Sequence, residues 1–281
     1  MRVKYTKMNG AGNDFIILNN FEEHLIPDVL PMLARRLCDR RLSIGADGLM
    51  VVDRADGAAD FKMRFYNADG SEGEMCGNGA RCICRYGYEN GLSGCEPVIE
   101  TTAGIVHGTR IDRRNYRVRL PNPEVMRLGL ELDACGKTWR CAYVELGNPG
   151  LPHAVVEYKG LANADEHALF ELGKTLRYHP EFPKGANVNF YEITGENAVL
   201  LRTWERGVED FTYACGTGTG SAAAVLCTEG KVSEKNICVR MRGGLLTIDI
   251  DRADGQIENL WLTGPTNLVA HGQVLDEELP M

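Results

Sequence analysis

No stretch of this chain approaches the ~18 uninterrupted apolar residues of a membrane-crossing helix, and its opening residues, MRVKYTKMNGAGNDF, carry no apolar secretory core. These two absences predict a cytoplasmic protein with no membrane partner. No block of like charge is long enough to act as a tail. The net charge of −8 argues against nucleic acid as a partner, which would favour a basic surface. There is no low-complexity linker. Ten cysteines are present, yet none forms a Cys-x-x-Cys pair and no histidine cluster lies near them. Their spacing therefore predicts no metal site. Reduced cytosolic thiols also leave disulfides unexpected, so most cysteines are expected to be small buried hydrophobes.

The 281 residues, 44% of them hydrophobic, suffice for one large domain or two moderate ones. Short alternating or apolar runs dominate, among them RVKYTKM, DFIILNN, FKMRFY, NVNFYEI, AVLLRTW and LLTIDID, and these read as strands. Helical periodicity is rarer. One helix is predicted from about Asp28 to Arg40, with Leu30, Leu33, Leu37 and Cys38 on one face. Another is predicted from about Asp165 to Tyr178, capped by Asn163 or Asp165. Two more should follow Cys76 and Cys215.

Those two cysteines head a repeated motif, EMCGNGARC and YACGTGTGS. The repeat is longer than the motif. Asn13 lies 63 residues before Cys76 and Asn148 lies 67 before Cys215. RFYN and RTWE precede the cysteines by 12 and 13 residues, and a Gly-led pair of β runs follows each by 27 and 28. Four coincidences in one order predict two halves of one architecture.

Glycines after each cysteine permit a sharp turn into a helix, whose first N–H groups lack intrahelical partners and favour an anion. A thiolate is favoured there too. The helix end contributes only about 0.3–1 kcal/mol, less than the ~1.4 kcal/mol of one pKa unit. A neighbouring group must therefore assist, and His153 and Glu205 are the candidates. Four readings remain open: packing cysteines beside turns, a phosphate-binding loop, redox exchange, and paired acid–base thiols. A P-loop Lys-Ser/Thr and a dinucleotide acidic residue are both missing, which weakens the second. Redox exchange needs a resolving partner. Only the fourth uses the duplication: one thiolate removes an α-proton from one face while the opposite thiol protonates the other.

At these residues the sequence resembles the diaminopimelate epimerase family. MNGAGNDF, FYNADGSEGEMCGNGARC, FPKGANVNF and ERGVEDFTYACGTGTGSAA match in order over nearly the whole chain. The resemblance implies a cofactor-independent isomerase of a small amino-acid substrate, converting LL- to meso-diaminopimelate toward lysine and peptidoglycan precursors, and acting as a homodimer. Carried over, Cys76 and Cys215 are the proton donor and acceptor. Gly77, Asn78, Gly216 and Thr217 supply N–H groups to the carboxylate at the reacting centre. Asn13, Asn67, Asn148, Asn187 and Arg206 hold the other end. Glu205 lies near the reacting amino group and the acid–base pair, and His153 gives acid–base support to the first cysteine. The chemistry fits, since Asn oxygens accept from ammonium groups and an Arg fork grips a carboxylate.

The implied fold is α/β, with two pseudo-symmetric halves, each a curved, mostly antiparallel sheet around a central helix. The first half is expected over residues 1–121 with the C-terminal segment 269–281, the second over 122–268. Three departures stand out. Residues 150–152 are inserted before His153, Phe211 stands where many family members place Glu, and Gly48 where some carry Gln. A proline or hydroxyproline racemase of the same fold is the alternative enzyme, and an anion-binding module without catalysis is the alternative class.

Overall fold

The computed structural model describes residues 2–73 and 76–275. Residues 276–281 of the expected C-terminal segment lie outside the described residues, as do Met1, Glu74 and Met75. Two compact units divide the chain after Val118 and after Thr263, the residues from Gly264 onward joining the first unit. Residues 264–268, expected in the second half, fall in the first unit, and residues 119–121, expected in the first half, fall in the second.

The first unit opens with the antiparallel pair β1 (Val3–Gly10) and β2 (Asn13–Asn19), joined through Ala11 and Gly12. The short α1 (Asn20–Glu23) is capped by Asn19, which accepts from the Phe21 N–H. A 3-10 turn at Pro27–Val29 leads into α2 (Leu30–Cys38), so the α-helix begins two residues later than the periodicity predicts. Proline at position 27 suits a first turn, since its missing N–H would lack a partner there anyway. β3 (Gly48–Asp53) runs parallel to β2, and β4 (Phe61–Asn67) antiparallel to β3. β5 (Glu72–Gly73) folds back on β4. α3 (Gly77–Glu89) then crosses to β6 (Val98–Thr101), parallel to β4, and the meander β7 (Gly104–Arg110), β8 (Asn115–Leu120) follows. The chain's last strand, Asn267–Val274, pairs antiparallel with β1.

The second unit repeats that plan. β9 (Pro123–Ala134), β10 (Lys137–Leu146) and β11 (Leu151–Glu157) are successive antiparallel neighbours. α4 (Glu166–Arg177), capped by Asp165 through the Ala168 N–H, crosses to β12 (Asn187–Gly195), parallel to β11. β13 (Ala198–Glu205) is antiparallel to β12 and carries the short β14 (Asp210–Phe211). α5 (Gly216–Thr228) crosses to β15 (Ile237–Met241), parallel to β13, followed by β16 (Gly244–Ala253) and β17 (Gln256–Pro265). With the last strand labelled β18, the orders are β18-β1-β2-β3-β4-β6-β7-β8 and β9-β10-β11-β12-β13-β15-β16-β17. Parallel joints fall at the same two places in each. The duplicated architecture is therefore present strand for strand.

Each sheet curves around its inner helix. α3 packs on β1 and β2 and again on β7, while α5 packs on β9 to β12 and again on β16. Both inner helices are buried on nearly every face and rich in Gly, Ala and Cys, which lets strands approach closely. An outer helix covers the opposite face. Leu30, Leu33 and Leu37 of α2 pack against Ile16, Leu18, Leu49 and Val51. Leu169, Leu172 and Leu176 of α4 pack against Val156, Val188, Phe190 and Trp204. Each fully buried leucine contributes about 1.5–3 kcal/mol. Covering both faces explains why β2 and β3 contain continuous apolar runs. The long strand β9 escapes an alternation search because only two of its residues are buried.

Of the ten cysteines, five are buried; Cys95 and Cys135 are exposed, and Cys76, Cys227 and Cys238 partly so. The expectation that most are buried hydrophobes is thus too broad. Cys95 follows the loop after α3, and Cys135 sits in the β9–β10 turn with φ of 51°.

Candidate active site

Cys76 and Cys215 occupy the same place in their units, the N-cap residue of the inner helix. Both have extended backbones, with φ and ψ of −118° and 118° at Cys76 and −122° and 110° at Cys215. Their carbonyls accept the first helical bonds, from the Ala80 N–H at 2.8 Å and the Thr219 N–H at 2.9 Å. The N–H groups of Gly77, Asn78, Gly216 and Thr217 therefore lie in first turns, where intrahelical bonding does not use them. Cys215 Sγ accepts from the Gly218 N–H at 3.4 Å and lies 3.5 Å from Thr217 Oγ1. The Cys76 side chain makes no such capping bond to the described first turn.

In the first unit the structure joins two expected residues directly. Asn78 Nδ2 donates to Asn13 Oδ1 at 2.6 Å, and Asn13 Nδ2 donates to Asp47 Oδ2 at 3.1 Å. Behind them Arg40 spans Asp14 and Asp47 at 2.6 and 2.7 Å, and Lys7 approaches Asp14 at 2.7 Å. Burial alone would raise the Asp14 carboxyl, but bonds and charges from Arg40 and Lys7 outweigh it and hold it at about 2. Asn67 ends β4 on the same sheet face as Phe15 and Met50. It is exposed, and its amide donates to Ser71 Oγ at 3.0 Å. At position 48 there is no side chain, and the space is occupied by the Phe65 ring, whose Cε2 lies 2.4 Å from where a Cβ would stand.

In the second unit the strand register places His153, Asn187, Asn189, Thr203 and Glu205 on one sheet face, the face that α5 covers. Asn187 Oδ1 accepts from the Arg206 N–H at 2.8 Å while its Nδ2 donates to the Pro152 carbonyl at 3.2 Å, tying the ends of β11, β12 and β13 together. Glu205 and Arg206 are half-buried at the end of β13, and Arg206 donates to the Lys184 carbonyl at 3.2 Å. Asn148 is exposed at the β10–β11 turn, in a cis bond to Pro149. The inserted residues 151 and 152 begin β11, so His153 lies inside that strand, fully buried. Burial, with the nearby charge of Arg206 adding to it, pushes its pKa down to about 3, so the ring is neutral. Phe211 faces away from Glu205: it pairs with Trp204, meets its ring edge-on at 5.5 Å and lies beneath the Arg202 guanidinium at 4.8 Å. At that position it packs the α4 side of the sheet.

Three residues escaped the sequence reading. Arg81 is 0% exposed on α3, donating to Asn78 Oδ1 at 2.8 Å and the Gly77 carbonyl at 3.3 Å. Among the described residues no carboxylate forms an ion pair with it. Desolvation lowers its pKa, and the groups opposing that are the thiols of Cys82, Cys76 and Cys84. Burial pushes Cys82 up to about 12 and raises Cys84 as well. Asn189 and Thr203 form a buried polar pair under α5, with Thr203 Oγ1 donating to Asn189 Oδ1 at 2.9 Å. The signal for Asn189 was the second Asn of NVNF, two residues from the first and hence on its face. No local signal marks Thr203. Among the described residues no group of three or more metal-ligating side chains converges, and no helix is long and apolar enough to cross a membrane.

A family model described as "Diaminopimelate epimerase" matches residues 5–121 and 146–269. Curated proteins with the same description include one from Desulforudis audaxviator, 37% identical over 96% of this chain and 99% of that protein. Another, from Aquifex aeolicus, is 34% identical over 99% of both chains. Among solved structures, a probable proline racemase from Agrobacterium radiobacter superposes with a TM-score of 0.68 over 99% of this chain and 95% of that one, at 20% identity. A hydroxyproline epimerase from Agrobacterium vitis gives 0.69 over 99% and 93%, at 18% identity. At such identities these two structures establish the shared α/β fold alone.

Proposed function

The chain belongs to the diaminopimelate epimerase family and is an isomerase, and from that premise we propose that it interconverts LL- and meso-diaminopimelate by proton exchange between Cys76 and Cys215. One observation carries the reading: a single fold unit occurs twice, and each copy sets a cysteine at the N-cap of its buried inner helix. One sulfur is a thiolate and takes the α-proton; the other is a thiol and gives its proton to the opposite face of the carbanion. The C–H bond breaks on one side and a new one forms on the other. The two sulfurs have then exchanged protonation states, ready for the reverse direction. First-turn N–H groups of Gly77, Asn78, Gly216 and Thr217 favour the substrate carboxylate and the charge that builds on it. Asn13, Asn67, Asn148, Asn187 and Arg206 serve the distal amino-acid end, Glu205 the reacting ammonium, and His153 the acid–base pair. No cofactor enters this scheme. The homodimer, the cytoplasmic location and the place in lysine and peptidoglycan precursor synthesis belong to the same proposal.

The test is incubation with LL-diaminopimelate in deuterated water. Meso product with deuterium at one α-carbon is expected, and Cys76→Ala or Cys215→Ala should each lose epimerisation while keeping the wild-type circular dichroism spectrum. Binding without exchange, exchange on proline instead, or near-normal turnover by either variant would overturn the assignment.

A further inference from the structure

The two inner helices rest on chemically different floors. Under Gly79 of α3 lie Met50 and Phe15, with Met50 Cε 2.2 Å from the place a Cβ would take. The corresponding positions under Gly218 of α5, matched through the β11–β12–β13 register, are Asn189, His153 and Thr203. Asn189 Oδ1 is 2.2 Å from the Cβ position of Gly218, so the helix start lies directly on the amide. That same Gly218 donates its N–H to Cys215 Sγ.

Asn189 is oriented by its bonds. Its Nδ2 donates to the Ala154 carbonyl at 3.0 Å, and its Oδ1 accepts from Thr203. Nδ2 also lies 3.2 Å from His153 Nδ1 and 3.4 Å from the Asn187 carbonyl, so its two hydrogens are shared among three acceptors, the Asn187 contact being the longest. An amide nitrogen only donates, so His153 Nδ1 must accept, and the proton of the neutral ring sits on Nε2. Among the described residues that buried Nε2 has no hydrogen-bond partner.

We propose that Asn189 is a positioning residue for the second thiol: its amide holds His153 as the Nε2–H tautomer and seats the first turn of α5, and with it the Cys215 sulfur. The functional consequence rests on the reading that Cys215 exchanges a proton with substrate. The positioning itself does not, and its test is independent of the substrate.

The test uses the full chain. In ¹⁵N-histidine-labelled protein, His153 should show the Nε2–H pattern and no titration between pH 5 and 8. In Asn189→Asp the carboxylate accepts where the amide donated, so the proton should move to Nδ1. Residue-resolved iodoacetamide alkylation, read by mass spectrometry across pH, should show the Cys215 profile displaced in this variant and the Cys76 profile unchanged. Turnover of diaminopimelate should fall by about tenfold or more through kcat. Thr203→Val removes the hydroxyl that orients the amide and should displace the Cys215 profile as well, while Thr203→Ser, which keeps the hydroxyl, should restore it. That pair decides the matter if Asn189→Asp does not fold. A wild-type Nδ1–H tautomer, or a Cys215 profile unmoved in a folded Asn189→Asp or Thr203→Val protein, overturns the proposal. Absence of epimerisation in the wild type would instead count against the two-thiol function and leave both spectroscopic arms decisive.

Discussion

Alanine at Gly79 and alanine at Gly218 should have unequal effects on stability, although both replace the third residue of an inner helix. Alanine exceeds glycine by about 1 kcal/mol in helix propensity, so that gain applies at each position. At Gly79 the new methyl meets Met50 Cε at 2.2 Å, and its next neighbours lie at the ordinary distances of 3.5 and 3.6 Å. Met50 Cε ends a side chain with three rotors and can swing aside. Gly79→Ala should therefore stay within about 1 kcal/mol of wild type. At Gly218 the methyl meets Asn189 Oδ1 at 2.2 Å, Thr203 Oγ1 at 3.1 Å and Asn189 Cγ at 3.3 Å. The amide must retreat by about 1 Å to reach ordinary contact, and it is held by Thr203, His153 and Ala154. Each buried bond lost costs about 1 kcal/mol, and more where a group is left unsatisfied. Losing two or three exceeds the propensity gain, for a net loss of about 2 kcal/mol. Urea denaturation of the three proteins measures this. Equal midpoints for the two alanine variants, or a Gly218→Ala protein more stable than wild type, would refute the reasoning that one floor is deformable and the other locked.

The buried His153 predicts an acid-side slope. Its ring is neutral in the fold, held near 3, whereas the unfolded chain takes up a proton below about 6.5. Its contribution is complete above that pH and is lost as pH falls toward 3, at a limiting rate of about 1.4 kcal/mol per pH unit. Denaturation midpoints between pH 7 and 5.5 should show a slope that His153→Asn flattens; the contributions of Asp14 and Glu166, whose carboxyls are held near 2, are lost below that window, as pH falls through their unfolded values of 3.8 and 4.5. Arg81→Met removes the buried cation of α3 and should slow alkylation of Cys76 near neutral pH while leaving Cys215 unchanged. An unaltered Cys76 profile would show that the guanidinium does not act on that thiol.

Much of this protein was legible along the chain. Turn glycines after each cysteine placed both N-caps, Asp165 was one of two caps offered for the start of α4, and the spacing of Asn13, RFYN and Cys76 against Asn148, RTWE and Cys215 disclosed the duplication. These signals are local or repeated, and a residue's neighbours within a turn or a strand period suffice to express them. The resemblance supplied the roles of Asn187, Glu205 and Arg206, and the register brought those three together at one end of the second sheet.

Other features were decided by tertiary packing. Arg81 reads as an ordinary helix residue, and only the wrapping of a sheet around α3 makes it a buried cation. His153 stands out in the sequence as a candidate, but only the parallel pairing of β11 and β12 brings Asn189 to its ring and sets which nitrogen bears the proton. Thr203 gains its role from Asn189, on the neighbouring strand. By itself the sequence determined that one device is built twice, because periodicity and turn chemistry act between near neighbours. The tertiary structure alone decided that the two copies are unlike. The character of a buried floor depends on which side chains distant strands bring beneath the same helix, and in the low-dielectric interior an Asn–His–Thr cluster and a Phe–Met cluster impose different chemistry on the sulfur above.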